Sequence, residues 1–113
     1  MRVFVSYARR DNPPKRLIDI DHELRALGWS VYIDDIHHPR VGDRRDAVLA
    51  ALSQADVFVA VKTSSYLRTD WTQLEFREAM KAGLPLAVLQ AGTGLRPSAY
   101  GALLAEVCFT LTP

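Results

Sequence analysis

The chain has 113 residues, 14 Lys and Arg against 13 Asp and Glu, and one cysteine, Cys108, which has no partner for an internal disulfide. That length suits one domain with one core, and 49% hydrophobic with 24% charged residues is the balance of a folded globule and not of a disordered segment. A net charge of +1 argues against a nucleic-acid binder, apolar runs such as Val57–Val61 are too short to span a bilayer, and the lone cysteine fits a reducing, cytoplasmic compartment.

Val3–Phe4–Val5 is a β-branched and aromatic run that suits a buried first strand, and behind Arg2 it is too short for the core of a secretion signal. Asn12–Pro13–Pro14 offers an N-cap and a proline for the first helical turn. Leu17, Ile20, Leu24 and Leu27 then recur at helical spacing until Gly28 stops the helix. Trp29 to Ile33 reads as a second strand, and Asp34 to Gly42 as a loop broken by Pro39 and Gly42. Asp43 can cap a second helix through Val48 and Leu52, and Ala55 to Val61 reads as a third, doubly covered strand. A polar loop, Lys62 to Asp70, leads into a helix that begins with the capping pair Asp70 and Gln73 and ends before Gly83. Pro85 opens a fourth strand over Leu86 to Leu89. Pro97 can start a short helix to Ala105, and the alternation of Val107, Phe109 and Leu111 reads as a fifth strand.

Strands separated by helices predict right-handed βαβ crossovers and a flavodoxin-like α/β fold, a five-stranded parallel sheet in the order 2-1-3-4-5. In that order the chain reverses direction between strands one and three, and ligands bind outside the carboxyl ends of the strands at such a reversal. The segments that fall there are Ser6 to Asp11 and Lys62 to Glu75.

Trp71 and Glu75 are four residues apart on the predicted helix and share a face at the mouth of that crevice. An aromatic ring beside a carboxylate suits a ligand made of a sugar and a flat base, and a carboxylate can stabilise an oxocarbenium-like transition state or act as nucleophile on a glycosidic bond. The plainer alternative is a core-anchoring tryptophan and a solvated acid. Arg9, Arg10, Arg40, Arg44 and Arg45 fall on neighbouring loops, either as a solvated rim or as partners for a pyrophosphate. Asp34, Asp35, His37 and His38 carry metal-binding groups, but adjacent pairs in one loop rarely converge on one ion, so no metal is expected. No glycine-rich phosphate loop follows the first strand, and Ser6 lacks the flanking glycines of a nucleophile elbow.

Three ordered stretches resemble the Toll/interleukin-1 receptor (TIR) domain, as found in bacteria. Phe4–Val5–Ser6–Tyr7–Ala8–Arg9–Arg10–Asp11 is similar to its first signature box, Val31–Tyr32–Ile33–Asp34 with Gly42–Asp43 to its second strand and BB loop, and Thr63 through Glu75 to its CC-loop motif. The resemblance covers residues 2 to about 90 and implies the same five-stranded fold across the single domain 1–113. It also implies NAD hydrolysis at the nicotinamide–ribose bond, with Glu75 catalytic and Ser6, Tyr7, Arg9, Asp34 and Trp71 binding substrate. NAD would be substrate and not a held cofactor. The further implication is activation by homotypic self-association in signalling or defence, with Pro39, Gly42 and Asp43 on the docking loop, and no nucleic-acid or membrane partner. The alternative is a non-catalytic TIR module that only assembles. Thr63, Thr69, Thr72 and Ala8 depart from the family pattern. With the fifth strand at 107–111, only Thr112 and Pro113 remain, so the family's final helix is expected to be missing and its place taken by a partner or by other domains of a longer chain.

Overall fold

The computed structural model describes residues 1–34 and 44–111, with side chains over 1–34 and 45–106. Five strands form one sheet: β1 (Arg2–Ser6), β2 (Ser30–Ile33), β3 (Val57–Val61), β4 (Leu86–Gln90) and β5 (Gly94–Ser98), in the order β2-β1-β3-β4-β5. The helices among the described residues are α1 (Pro14–Ala26), α2 (Arg44–Gln54), α3 (Asp70–Lys81) and α4 (Tyr100–Leu111), with a 3-10 turn at Arg9–Asp11. β1 pairs parallel with β2 and β3, and β3 pairs parallel with β4. The expected strand order holds, and with it the reversal between β1 and β3.

The alternation within β1 and β3 sorts side chains onto two faces. Val3, Val5, Val31, Ile33, Val59 and Val61 pack against Leu17, Ile20 and Leu24, the inner stripe of α1. Phe4, Phe58, Ala60, Leu86 and Val88 face the opposite way, onto Val48 and Leu52 of α2, Phe76 and Ala79 of α3 and Leu103 of α4. Phe58 is the centre of that layer: its ring stacks on Phe4 at 5.8 Å and on Tyr100 at 6.3 Å and meets Phe76 edge-on at 6.4 Å. Leu27, counted in the α1 stripe on spacing alone, is the C-cap and 57% exposed, because Gly28 turns the chain away at φ +85°. Asn12 is not the N-cap of α1, which falls on Pro13; its side-chain amide instead donates to the Ala8 carbonyl at 2.7 Å.

The C-terminal third differs from the sequence expectation. β5 is Gly94–Ser98 and runs antiparallel to β4, with Leu89 opposite Leu95 and Leu86 opposite Ser98. The cause is a short turn over residues 91–93: Gly92 within it and Gly94 at the start of β5 both take left-handed φ, +85° and +69°, so the chain doubles back with no crossover helix. Pro97 therefore lies in an edge strand, where its missing N–H is tolerated, and does not start a helix. Residues 107–111 are the end of α4 and not a strand. Leu103, Leu104, Val107, Cys108 and Leu111 satisfy a helical spacing as well as the alternation does, so the pattern alone did not discriminate. α4 thus follows the last strand, in place of the two-residue remnant expected after it. Its start is fixed by Tyr100, whose hydroxyl donates to the Leu84 carbonyl at 2.7 Å, by the buried Leu103, and by an ion pair of Glu106 with Lys62 at 2.6 Å.

Candidate active site

The reversal point brings together the chain leaving β1, the residue leaving β2 and the segment between β3 and α3. That last segment is shaped by local hydrogen bonding. Leu67 takes φ +67°, a strained conformation for a branched side chain, and the Gln73 side-chain Nε2 donates to its carbonyl at 3.0 Å. Thr69, and not Asp70, caps α3: its Oγ1 accepts from the Thr72 amide at 3.1 Å. Gln73 is thereby released from the expected capping pair to hold the turn. Across the reversal, the Asp11 carboxylate accepts from the Ser65 amide at 2.8 Å and from the Ser65 hydroxyl at 3.2 Å. The Thr63 hydroxyl, together with these Ser65 donors and the charge of Arg10, outweighs burial and holds the Asp11 carboxyl below its usual range.

These restraints fix the first two turns of α3 over the end of β1. Glu75, in the second turn, is 3% exposed, and the Ser6 hydroxyl donates to its Oε1 at 2.9 Å. The Tyr66 hydroxyl in turn donates to Ser6 Oγ at 3.0 Å. Above Glu75 opens a cleft of about 400 Å³ lined by Tyr7, Arg9, Arg10, Asp34, Thr69, Trp71, Thr72 and Glu75. Asp34 is itself buried and accepts from the Tyr32 hydroxyl at 3.1 Å. Trp71 does two things at once: one part of its half-buried ring packs on the Phe58 layer, and another lines the cleft.

Of the residues singled out from the sequence, Tyr7, Arg9, Asp34, Trp71 and Glu75 thus share one cleft. Ser6 lies beneath it, with no exposed surface, against the carboxylate. Pro39, Gly42, Asp43 and Arg40, with Asp35, His37 and His38, lie outside the described residues. Arg45 is exposed on α2 and is not part of the cleft wall, whereas Arg10 is. His22 is exposed on α1, and among the described residues no group of three or more His, Cys, Asp or Glu side chains is placed to hold a metal ion. Sequence reasoning passed over Tyr66 as an individual residue. Tyr66 stands inside the quoted Thr63–Glu75 stretch, but nothing in the sequence says that a residue 60 positions from Ser6 reaches it.

The sequence pattern of the TIR domain matches residues 3–97. The chain belongs to the TIR domain family. The matched span runs from the start of β1 into β5 and includes every described cleft residue. No curated protein matches this TIR domain by sequence. Among solved structures it is similar to the TIR domains of the activated Roq1 resistosome that directly recognizes the pathogen effector XopQ, with a TM-score of 0.68 and 18% identity over 79% of this chain. It spans 56% of the length of that chain. It is also similar to the CMP N-glycosidase BcmB of Clostridium botulinum, with a TM-score of 0.59 and 23% identity over 97% of this chain and 82% of that one. At these identities the two structures establish the shared fold. Among the described residues, no helix is long and apolar enough to cross a membrane.

The cleft combines groups of three chemical kinds. Tyr7 and Trp71 offer flat apolar walls, Arg9 and Arg10 offer guanidinium groups of the kind that pair with phosphate oxygens, and Asp34 and Glu75 offer carboxylates to sugar hydroxyls or an anomeric carbon. Because Glu75 is largely withdrawn from water, its carboxyl group interacts at lower local dielectric than one on the surface would.

Proposed function

We propose that this TIR domain is an N-glycosidase that hydrolyses NAD at the bond between nicotinamide and ribose. The observation that supports this most is the buried Glu75 carboxylate at the base of a cleft walled by Tyr7 and Trp71. In the proposed reaction the C–N bond breaks and its electron pair leaves with nicotinamide, which departs neutral because its ring nitrogen was cationic. Glu75 stabilises the resulting oxocarbenium-like centre from the opposite face, by charge or by a transient covalent bond. Water then supplies the hydroxyl at that carbon and loses its proton to the carboxylate or to solvent. Asp34 accepts from a ribose hydroxyl, the aromatic walls hold the base, and Arg9 and Arg10 pair with the pyrophosphate. No bound cofactor takes part.

Activity in this reading rises on self-association, with Pro39, Gly42 and Asp43 on the docking loop. A second reading, a pyrimidine nucleotide as substrate, is favoured by the CMP N-glycosidase likeness, which takes in 97% of this chain. Chromatography of the products from NAD and from CMP at high protein concentration tests both. Nicotinamide from NAD with CMP untouched supports the first, and cytosine from CMP alone supports the second. Silence on both, from folded and clustered protein, supports a TIR module that assembles without catalysis.

A further inference from the structure

We propose that Tyr66 is a positioning residue for Glu75, acting through Ser6 in a one-way chain of hydroxyl hydrogen bonds that holds the carboxylate ionised and fixes its rotation. This rests on the reading of Glu75 as the catalytic carboxylate. The chain runs Tyr66 Oη to Ser6 Oγ at 3.0 Å and Ser6 Oγ to Glu75 Oε1 at 2.9 Å, and the three residues are 0%, 0% and 3% exposed. Each hydroxyl has one proton to give. Ser6 gives its proton to the carboxylate, so its oxygen is the acceptor for Tyr66, and Tyr66 must donate. A carboxylate oxygen accepts the Ser6 proton more strongly than a neutral carboxyl oxygen does, and the bond that Tyr66 donates polarises the Ser6 hydroxyl further toward it. The hydrogen-bond order therefore favours the carboxylate form, which suits a nucleophile or charge stabiliser and not a proton donor.

The far end of the chain is rigid. Tyr66 belongs to the Phe58 layer, and burial pushes its phenol far above the usual tyrosine range, outweighing the Ser6 hydrogen bond that acts in the other direction. It stays a donor throughout the working pH range. Glu75 also shares its cleft with Tyr7, Arg9, Arg10 and Asp34, so the arginines favour its charge, while Asp34 and its own burial oppose it. Tyr66 and Ser6 supply the part of the balance that comes from beneath the cleft, out of reach of solvent and substrate. They also tie the carboxylate to the segment between β3 and α3, so a shift of that segment reaches Glu75 directly.

The test is a carbon-13 titration of the Glu75 carboxyl, assigned with Glu75→Gln, in wild type, Ser6→Ala, Tyr66→Phe and the double variant. It needs no turnover. Both single variants are expected to move the midpoint to higher pH, and the double variant to match Ser6→Ala, because Tyr66 acts only through Ser6. In the nicotinamide-release assay, each single variant loses roughly tenfold in kcat/KM, with the loss carried by kcat and the acid limb of the profile moved the same way. A Tyr66→Phe midpoint equal to wild type, or shifts that add in the double variant, would overturn the relay. If Ser6→Ala does not fold, Tyr66→Phe alone decides, since it removes one oxygen and keeps the ring. If wild type releases no nicotinamide, the proposed reaction fails while the titration still judges the relay.

Discussion

Asp11 and Ser65, 54 residues apart in sequence, are joined by two hydrogen bonds: the Ser65 amide at 2.8 Å and its hydroxyl at 3.2 Å both donate to the Asp11 carboxylate. This contact ties the turn after β1 to the segment that carries Tyr66 and leads into α3. Asp11→Ala is therefore expected to cost about 1–3 kcal/mol, since it leaves the Ser65 amide without its acceptor. Urea unfolding of the two proteins checks it, and an unchanged midpoint would mean that the two loops hold together without the pair.

The same carboxylate gives a signed pH dependence. Its folded-state pKa is lowered below the usual 3.8, first by the Thr63 hydroxyl and then by the Ser65 donors, against the opposing effect of burial. A depressed carboxylate stabilises the fold above its unfolded pKa, and the contribution is lost as pH falls through the folded value. Below about pH 4 the wild type should thus lose stability faster than Asp11→Asn, which has no such proton to take up. Melting temperatures of both proteins from pH 6 down to pH 2.5 measure this, and parallel curves would contradict it.

Thr69 sets the entry of the helix that bears Trp71 and Glu75, through its Oγ1 and the Thr72 amide. Thr69→Ala should cost about 0.5–2 kcal/mol, the usual effect of losing an N-cap. Amide hydrogen exchange should quicken selectively in the first turn of α3. Uniform protection in the variant would show that packing of Phe76 and Ala79 alone fixes that turn.

α4 supplies a fourth expectation. Tyr100→Phe removes the 2.7 Å bond to the Leu84 carbonyl and is expected to cost about 1 kcal/mol. Leu103→Ala opens a cavity under a fully buried side chain and should cost about 2–5 kcal/mol. Chemical denaturation ranks the two, and a larger loss for Tyr100→Phe would show that the helix docks mainly through its polar anchor.

The sheet order and the reversal point were legible in the sequence because Val3–Phe4–Val5 and Val57–Val61 are short apolar runs between well-marked helices. The cleft followed from them, since any chain wound in this order delivers Tyr7 and Trp71 to the same edge. The antiparallel β5 was hidden by its composition: Gly94-Leu95-Arg96-Pro97-Ser98 is a mostly exposed edge strand with little apolar signal. The end of α4 was misleading for the opposite reason, being apolar enough to satisfy two periods at once. Thr69 and Asp70 are adjacent capping residues, and only the backbone conformation at Thr69 decides between them. Tyr66 reaching Ser6 is a tertiary contact that no local pattern encodes.

The proposed action of Glu75 on a glycosidic bond is tested most directly by nicotinamide release from NAD by wild type and Glu75→Gln at matched, high protein concentration. Release by wild type and a loss of at least about a hundredfold in the variant, with both proteins equally folded by circular dichroism, is the predicted result. Equal release by the two proteins, or none from clustered wild type, would contradict it.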